Sequence, residues 1–277
     1  MTVHITTADR LDTISVRGQR IRVRVENEGA GSPFLLINGI GATGELFHPF
    51  RQYFGDRETI TFDAPGVGAS STPTFPLTMS QLAAIVADTV RELGHDQVDV
   101  LGLSWGGALA MHLTWRYPAL VRRLVLTATT PGWGALPGRP AAMAILASPA
   151  RYRSPAYLRR VAPTLYGGGI VDRPDLLDEH AELRSRFAPT QRGYLYQMMA
   201  IQAWSALPFL WQIKNPALVL AGDDDPIIHN ANGRLLASQL SNGHLHIVEG
   251  GGHLFLFVRA EESAEIVREF LDSPLDD

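Results

Sequence analysis

Short apolar runs separated by longer amphipathic ones set the rhythm of this chain. Phe34–Ile37 and Thr59–Phe62 read as buried strands, each too short for a helix and followed by a glycine-containing loop. Gln97–Leu101, Leu124–Leu126, Ala217–Leu220 and Leu245–Val248 repeat the pattern. Ile21–Val25 alternates apolar and basic residues, as an edge or half-buried strand does. Between these lie helical patterns. Met79–Leu93 has Thr78 and Gln81 at capping-box spacing and Gly94 as a stop. Gly107–Trp115 is a second helix, halted near Pro118, and Glu261–Leu271 is a third. Strands separated by helices predict an α/β architecture, with a mostly parallel sheet covered on both faces.

From about Pro131 to about Pro208 the rhythm breaks. Proline, glycine, arginine, methionine and aromatic residues cluster there in short helical patches. We read residues 131–208 as a helical cap inserted into a core formed by residues 1–130 and 209–277. Trp133 and Trp204 are expected to line a substrate pocket there. Most of the other aromatics are expected to pack the cap against the core.

Composition narrows the function class. The 277 residues are 45% hydrophobic and 19% charged, with a net charge of -4. That suits one large domain and offers no basic stripe for nucleic acid. No apolar run approaches a membrane span, and Met1–Arg20 lacks the pattern of a secretory signal. The expected location is the cytoplasm. There are no cysteines, so disulfides, thiolate metal sites and a cysteine nucleophile are all excluded.

Candidate chemistry begins at Gly102-Leu103-Ser104-Trp105-Gly106, a G-x-S-x-G sequence. It sits between a predicted strand and a predicted helix, the context of a nucleophile elbow. A sharp turn there exposes Ser104 Oγ and aims the Trp105 N–H into the same space. A serine hydroxyl needs an adjacent base. Of nine histidines, His253 alone follows a strand through a flexible Gly250-Gly251-Gly252 loop. His4 is terminal, His95 lies in a polar turn, and His112 reads as a packing residue. His244 and His246 share one face of a strand. The histidine needs an acid to fix its tautomer. Asp223-Asp224-Asp225-Pro226 follows another strand, and only one of the three carboxylates should face it. Asp225 is favoured, with Asp223 as the alternative. The second oxyanion donor is assigned to Ile40 N–H, in Asn38-Gly39-Ile40-Gly41, with the Asn38 amide holding that loop or contacting substrate.

These residues resemble the intracellular, medium-chain-length poly(3-hydroxyalkanoate) depolymerases of the α/β-hydrolase superfamily. The matching stretches include Phe34–Ala42, Phe62–Gly68, Ser71-Thr72-Pro73, Ser104–Ala110, Leu218–Pro226 and Gly252–Leu256. In the cap they include Ala147-Ser148-Pro149 and Ala162–Gly169. The chain departs from the family pattern at His229, where a proline is common, and in an extra glycine before His253. The resemblance implies an α/β-hydrolase fold, a Ser104–Asp225–His253 triad and no cofactor or metal. It also implies a polyester substrate and contact with hydrophobic polymer granules. Two other readings stand beside it. One is a carboxylesterase, lactonase or carbon–carbon bond hydrolase using the same triad. The other is a ligand receptor on the same fold with little turnover. A polymer synthase with a cysteine nucleophile is excluded.

Overall fold

In a computed structural model, residues 9–274 are described; His4 lies outside them. Eight strands form one sheet. They are β1 (Arg10–Val16), β2 (Gln19–Glu26), β3 (Phe34–Ile37), β4 (Thr59–Phe62), β5 (Val98–Leu103), β6 (Val121–Thr127), β7 (Ala217–Gly222) and β8 (Gly243–Val248). Their spatial order is β1-β2-β4-β3-β5-β6-β7-β8. β1 and β2 pair antiparallel, as do β2 and β4, and every later pairing is parallel.

Strand β1 has no counterpart in the sequence reading. Its residues are mostly exposed, so no apolar alternation marks it. The signal that was available is the turn Arg17-Gly18, both with positive φ (48° and 73°). Two such residues close a tight hairpin whose twist matches the flanking strands.

Among the described residues there are ten α-helices: α1 (His48–Arg51), α2 (Met79–Glu92), α3 (Trp105–Arg116), α4 (Pro140–Leu146), α5 (Pro155–Tyr166), α6 (Pro174–Arg186), α7 (Gln191–Gln202), α8 (Ala231–Gln239), α9 (Phe255–Val258) and α10 (Ala260–Asp272). The expected capping box is present at α2. Thr78 accepts from the Gln81 N–H, and the Gln81 side chain accepts from the Thr78 N–H. α4 to α7 all fall between β6 and β7.

The sheet is buried on both faces, which explains the near-continuous apolar runs of β3, β5 and β7. Alternate residues feed two separate cores. Leu35, Ile37, Val98 and Val100 pack with Leu82 and Leu109, on the side of α2 and α3. Phe34, Leu36, Leu101 and Leu103 pack with Phe50, Phe255 and Val267, on the side of α1, α9 and α10. Burying each such side chain contributes about 1.5–3 kcal/mol. The parallel strands then point their C-terminal ends the same way. In open α/β sheets that edge is where ligands bind. The loops after β3, β5, β7 and β8 carry Ile40, Ser104, Asp225 and His253.

Candidate active site

Ser104 joins β5 to α3 with φ 56° and ψ −117°, a conformation that L residues seldom adopt. Such backbone costs on the order of 1–3 kcal/mol and persists only where its surroundings impose it. Here they do. The Ser104 N–H donates to Thr127 O at 2.9 Å, and its carbonyl accepts from Thr129 Oγ1 at 2.6 Å and Gly107 N at 2.9 Å. The two motif glycines are required by close approach. A Cβ on Gly102 would lie 2.5 Å from Gly106 O, and one on Gly106 would lie 2.1 Å from Ile37 O.

The loop after β3 lies against this turn. An added Cβ on Gly39 would come within 3.5 Å of Ser104 Cβ. Asn38 is buried and shapes the loop from within. Its Oδ1 accepts from Gly39 N at 2.7 Å and its Nδ2 donates to Thr43 O at 2.8 Å. Gly41 N donates to Gln197 Oε1 at 2.7 Å, and Tyr152 Oη donates to Ile40 O. Trp105 is the first residue of α3, and its indole N–H donates to Gln197 O at 3.1 Å. The main-chain N–H groups of Ile40 and Trp105 have no protein acceptor among the described residues. They are free to hold an anionic oxygen beside Ser104, and at Trp105 the helix dipole adds to the effect.

The three consecutive aspartates face three different ways. Asp225 Oδ2 meets His253 Nδ1 at 2.8 Å, both side chains being buried. Its Oδ1 accepts from Ile227 N at 2.8 Å and Ile228 N at 2.9 Å. Asp224 accepts from Gly168 N at 2.9 Å and pairs with Arg139 at 2.9 Å. Those two contacts, the Gly168 N–H foremost, hold its carboxyl below the ordinary range. Asp223 is exposed and accepts from Gly250 N at 2.6 Å. With Nδ1–H committed to Asp225, His253 keeps Nε2 as its free acceptor. His253 also donates its main-chain N–H to Tyr166 O at 2.6 Å.

Two cavities meet at Ser104. The outer one encloses about 320 Å3 and is walled by apolar side chains, among them Trp133, Met143, Leu146, Met198 and Ile201. The inner one is smaller and more polar. It contains Ser104, His253, Asn38, Tyr166, Arg151 and Arg184. Ile40, Leu146 and Ile227 border both.

Trp133 is 79% exposed at the outer cavity. Trp204 does not belong with it. It is buried, and its indole N–H donates to His112 Nδ1 at 3.0 Å, while His112 Nε2 meets Ser80 Oγ at 2.9 Å. The expected pocket role of Trp204 is therefore corrected to packing. A polar indole N–H needs a buried partner, and His112 supplies it. Burial, reinforced by Arg116, pushes the His112 imidazole down to about 4.

The glycine run after α5 packs closely against the loop that carries His253. A Cβ on Gly168 would lie 2.3 Å from Gly252 N. Arg151, Arg184 and Gln197 were not singled out from the sequence. Arginines in a polar helical segment read as solvated, and only the tertiary fold shows them buried.

The geometry is that of an α/β-hydrolase, and the chain belongs to the alpha/beta hydrolase fold family, whose model matches residues 32–260. Within that family it is 44% identical over 262 residues to a poly(3-hydroxyalkanoate) depolymerase of Ectopseudomonas oleovorans, a match that covers 94% of this chain and 91% of that one. Among solved structures, the enol-lactonase from Burkholderia xenovorans superposes with a TM-score of 0.81 at 25% identity, covering 95% of this chain and all (100%) of that one. A hydrolase from Pseudomonas aeruginosa gives 0.81 at 22% identity, covering 95% and 98%.

Proposed function

We propose that this protein is a serine ester hydrolase that depolymerises poly(3-hydroxyalkanoate). Ser104, Asp225 and His253 act as its triad, and the N–H groups of Ile40 and Trp105 act as its oxyanion hole. The observation that carries this reading is Ser104 at the junction of an apolar cavity and the Asp225–His253 pair. The 44% identity to a named depolymerase supports a polyester as substrate.

The chemistry follows from the placement. His253 Nε2 takes the Ser104 proton as Oγ attacks the ester carbonyl. The oxyanion is held by the Ile40 and Trp105 N–H groups. The C–O bond to the alcohol then breaks, and His253 returns the proton to the departing oxygen. A water activated by the same histidine cleaves the acyl-enzyme. Asp225 keeps the ring oriented and stabilises the imidazolium. No cofactor takes part in these steps.

Residues 131–208 serve as the cap over this site. Trp133, Leu136 and Met143 border the outer cavity while 79%, 54% and 38% exposed. Exposed apolar groups at a pocket mouth suit contact with a hydrophobic granule. Among the described residues no helix is long and apolar enough to cross a membrane. We place the protein in the cytoplasm, in contact with polymer granules. Release of 3-hydroxy acids from medium-chain granules tests the reading. Turnover of lactones or small esters with none on granules would favour the enol-lactonase-like alternative, which the fold match supports.

A further inference from the structure

Two arginines in the helical insertion are buried beside Ser104 without a carboxylate. Arg151 is 2% exposed and Arg184 is 8% exposed. Arg151 Nη1 donates to Leu146 O and Ser148 O, and its guanidinium stacks on Tyr152 and Tyr194. Arg184 donates to His180 Nε2 and to Tyr152 Oη, and stacks on Tyr152. None of these partners is an anion, and no acidic side chain faces either group among the described residues. Burial, aided by the two arginines, pushes His180 well below its ordinary value, so it stays neutral and leaves the double charge unopposed. Buried charge of this kind is costly unless something pairs with it. Tyr166 adds a third group. It is 2% exposed and lines the same cavity, and its buried hydroxyl lies beside the Arg151 guanidinium with no carboxylate partner.

We propose that Arg151, Arg184 and Tyr166 form a carboxylate subsite on the leaving-group side of Ser104. The side is fixed by His253. It borders the inner cavity with the arginines and is absent from the apolar outer one. The histidine must reach the departing alcohol oxygen, so that half of the ester lies in the inner cavity and the acyl half in the outer. An alcohol bearing a carboxylate is a hydroxy acid. The enzyme therefore removes the terminal hydroxy acid from the carboxyl end of an ester chain. Ester and water give a shortened acid and a free hydroxy acid, with the Ser104 proton passing through His253 to the hydroxyl released. The inner cavity is about 20 Å3, room for one water. Seating the leaving half there requires the half-buried Leu146 side chain, which borders both cavities, to turn aside.

This inference rests on the proposed hydrolysis at Ser104, and the experiment separates the two. The linear dimer of 3-hydroxyoctanoate is compared with its methyl ester, measuring cleavage of the internal ester. The wild type should prefer the free acid by at least about tenfold in kcat/KM, with the difference mainly in KM. In Arg184→Gln and Arg151→Gln the ratio should collapse toward one, whatever each variant loses in absolute rate. Arg184→Lys should retain part of it. Equal wild-type rates on acid and methyl ester would overturn the subsite while leaving Ser104 hydrolysis intact. So would a ratio that survives both substitutions. No cleavage of either dimer would instead strike at the hydrolase reading itself.

Discussion

Asp225 bonds His253 with one carboxylate oxygen and the main chain of Ile227 and Ile228 with the other. The acid is thus fixed in position before it fixes the histidine. Asp223 and Asp224, its immediate neighbours, spend their carboxylates on Gly250, Gly168 and Arg139. Asp225→Asn should therefore lower kcat by roughly 10⁴, the scale expected when the histidine loses its orienting anion. Asp223→Asn and Asp224→Asn should stay within about tenfold of wild type, their losses arising from loop stability. Steady-state ester hydrolysis by the three variants, each checked for folding, decides the matter. Greater damage from Asp223→Asn would refute the assignment.

Ser104 stands at a strained turn maintained by Thr127, Thr129 and the close approach of Gly102 and Gly106. Ser104→Ala should reduce kcat by about 10⁴ or more with the fold preserved, since alanine keeps the backbone contacts. Near-normal turnover by the folded variant would remove Ser104 from the mechanism.

If the outer cavity holds the acyl chain, it should set an acyl-length profile. Each methylene buried there gains about 0.8 kcal/mol, roughly a factor of four. Nitrophenyl ester turnover should rise from acetate to medium chains and fall where the cavity ends. Ile201→Trp, which fills part of the wall, should move the optimum to shorter chains. A wild-type profile that peaks at acetate would argue against an acyl pocket.

His112 links stability to pH. Its folded value, near 4, lies below the ordinary 6.5 of an exposed imidazole. A base depressed on folding is held neutral by the native state. Its contribution is complete above pH 6.5 and is lost as pH falls from there toward 4. The slope reaches about 1.4 kcal/mol per pH unit. Urea unfolding at pH 7 and pH 5 should show a smaller loss for His112→Gln than for wild type. Equal losses would mean that His112 does not titrate in this window.

Much of this arrangement is legible in the chain itself. The parallel strands are apolar because both faces are buried, so period and length alone mark β3, β4 and β7. Ser104 sits in a motif whose glycines have a steric reason. His253 and Asp225 follow strands at the same sheet edge, which chain order alone suggests. What escaped were features of tertiary origin. β1 is solvent-facing and carries no pattern. Arg151 and Arg184 look like surface charges until the tertiary fold buries them. Trp204 looks like a pocket aromatic until its indole is seen bonded to His112. Gly168 stands in a stretch that matched the family, and only the fold shows that it packs against Gly252 of the His253 loop.

Covalent trapping on polymer asks whether Ser104 is the nucleophile of polyester cleavage. Wild-type protein is mixed with oligomers of medium-chain poly(3-hydroxyalkanoate), quenched in acid within the first turnovers, and its peptides are weighed. A 3-hydroxyacyl adduct on the peptide containing Ser104 is expected, with release of hydroxy acids, and neither in Ser104→Ala. Oligomer cleavage that persists in Ser104→Ala, or an adduct on another residue, would contradict it, as would nitrophenyl ester turnover with no attack on oligomer at all.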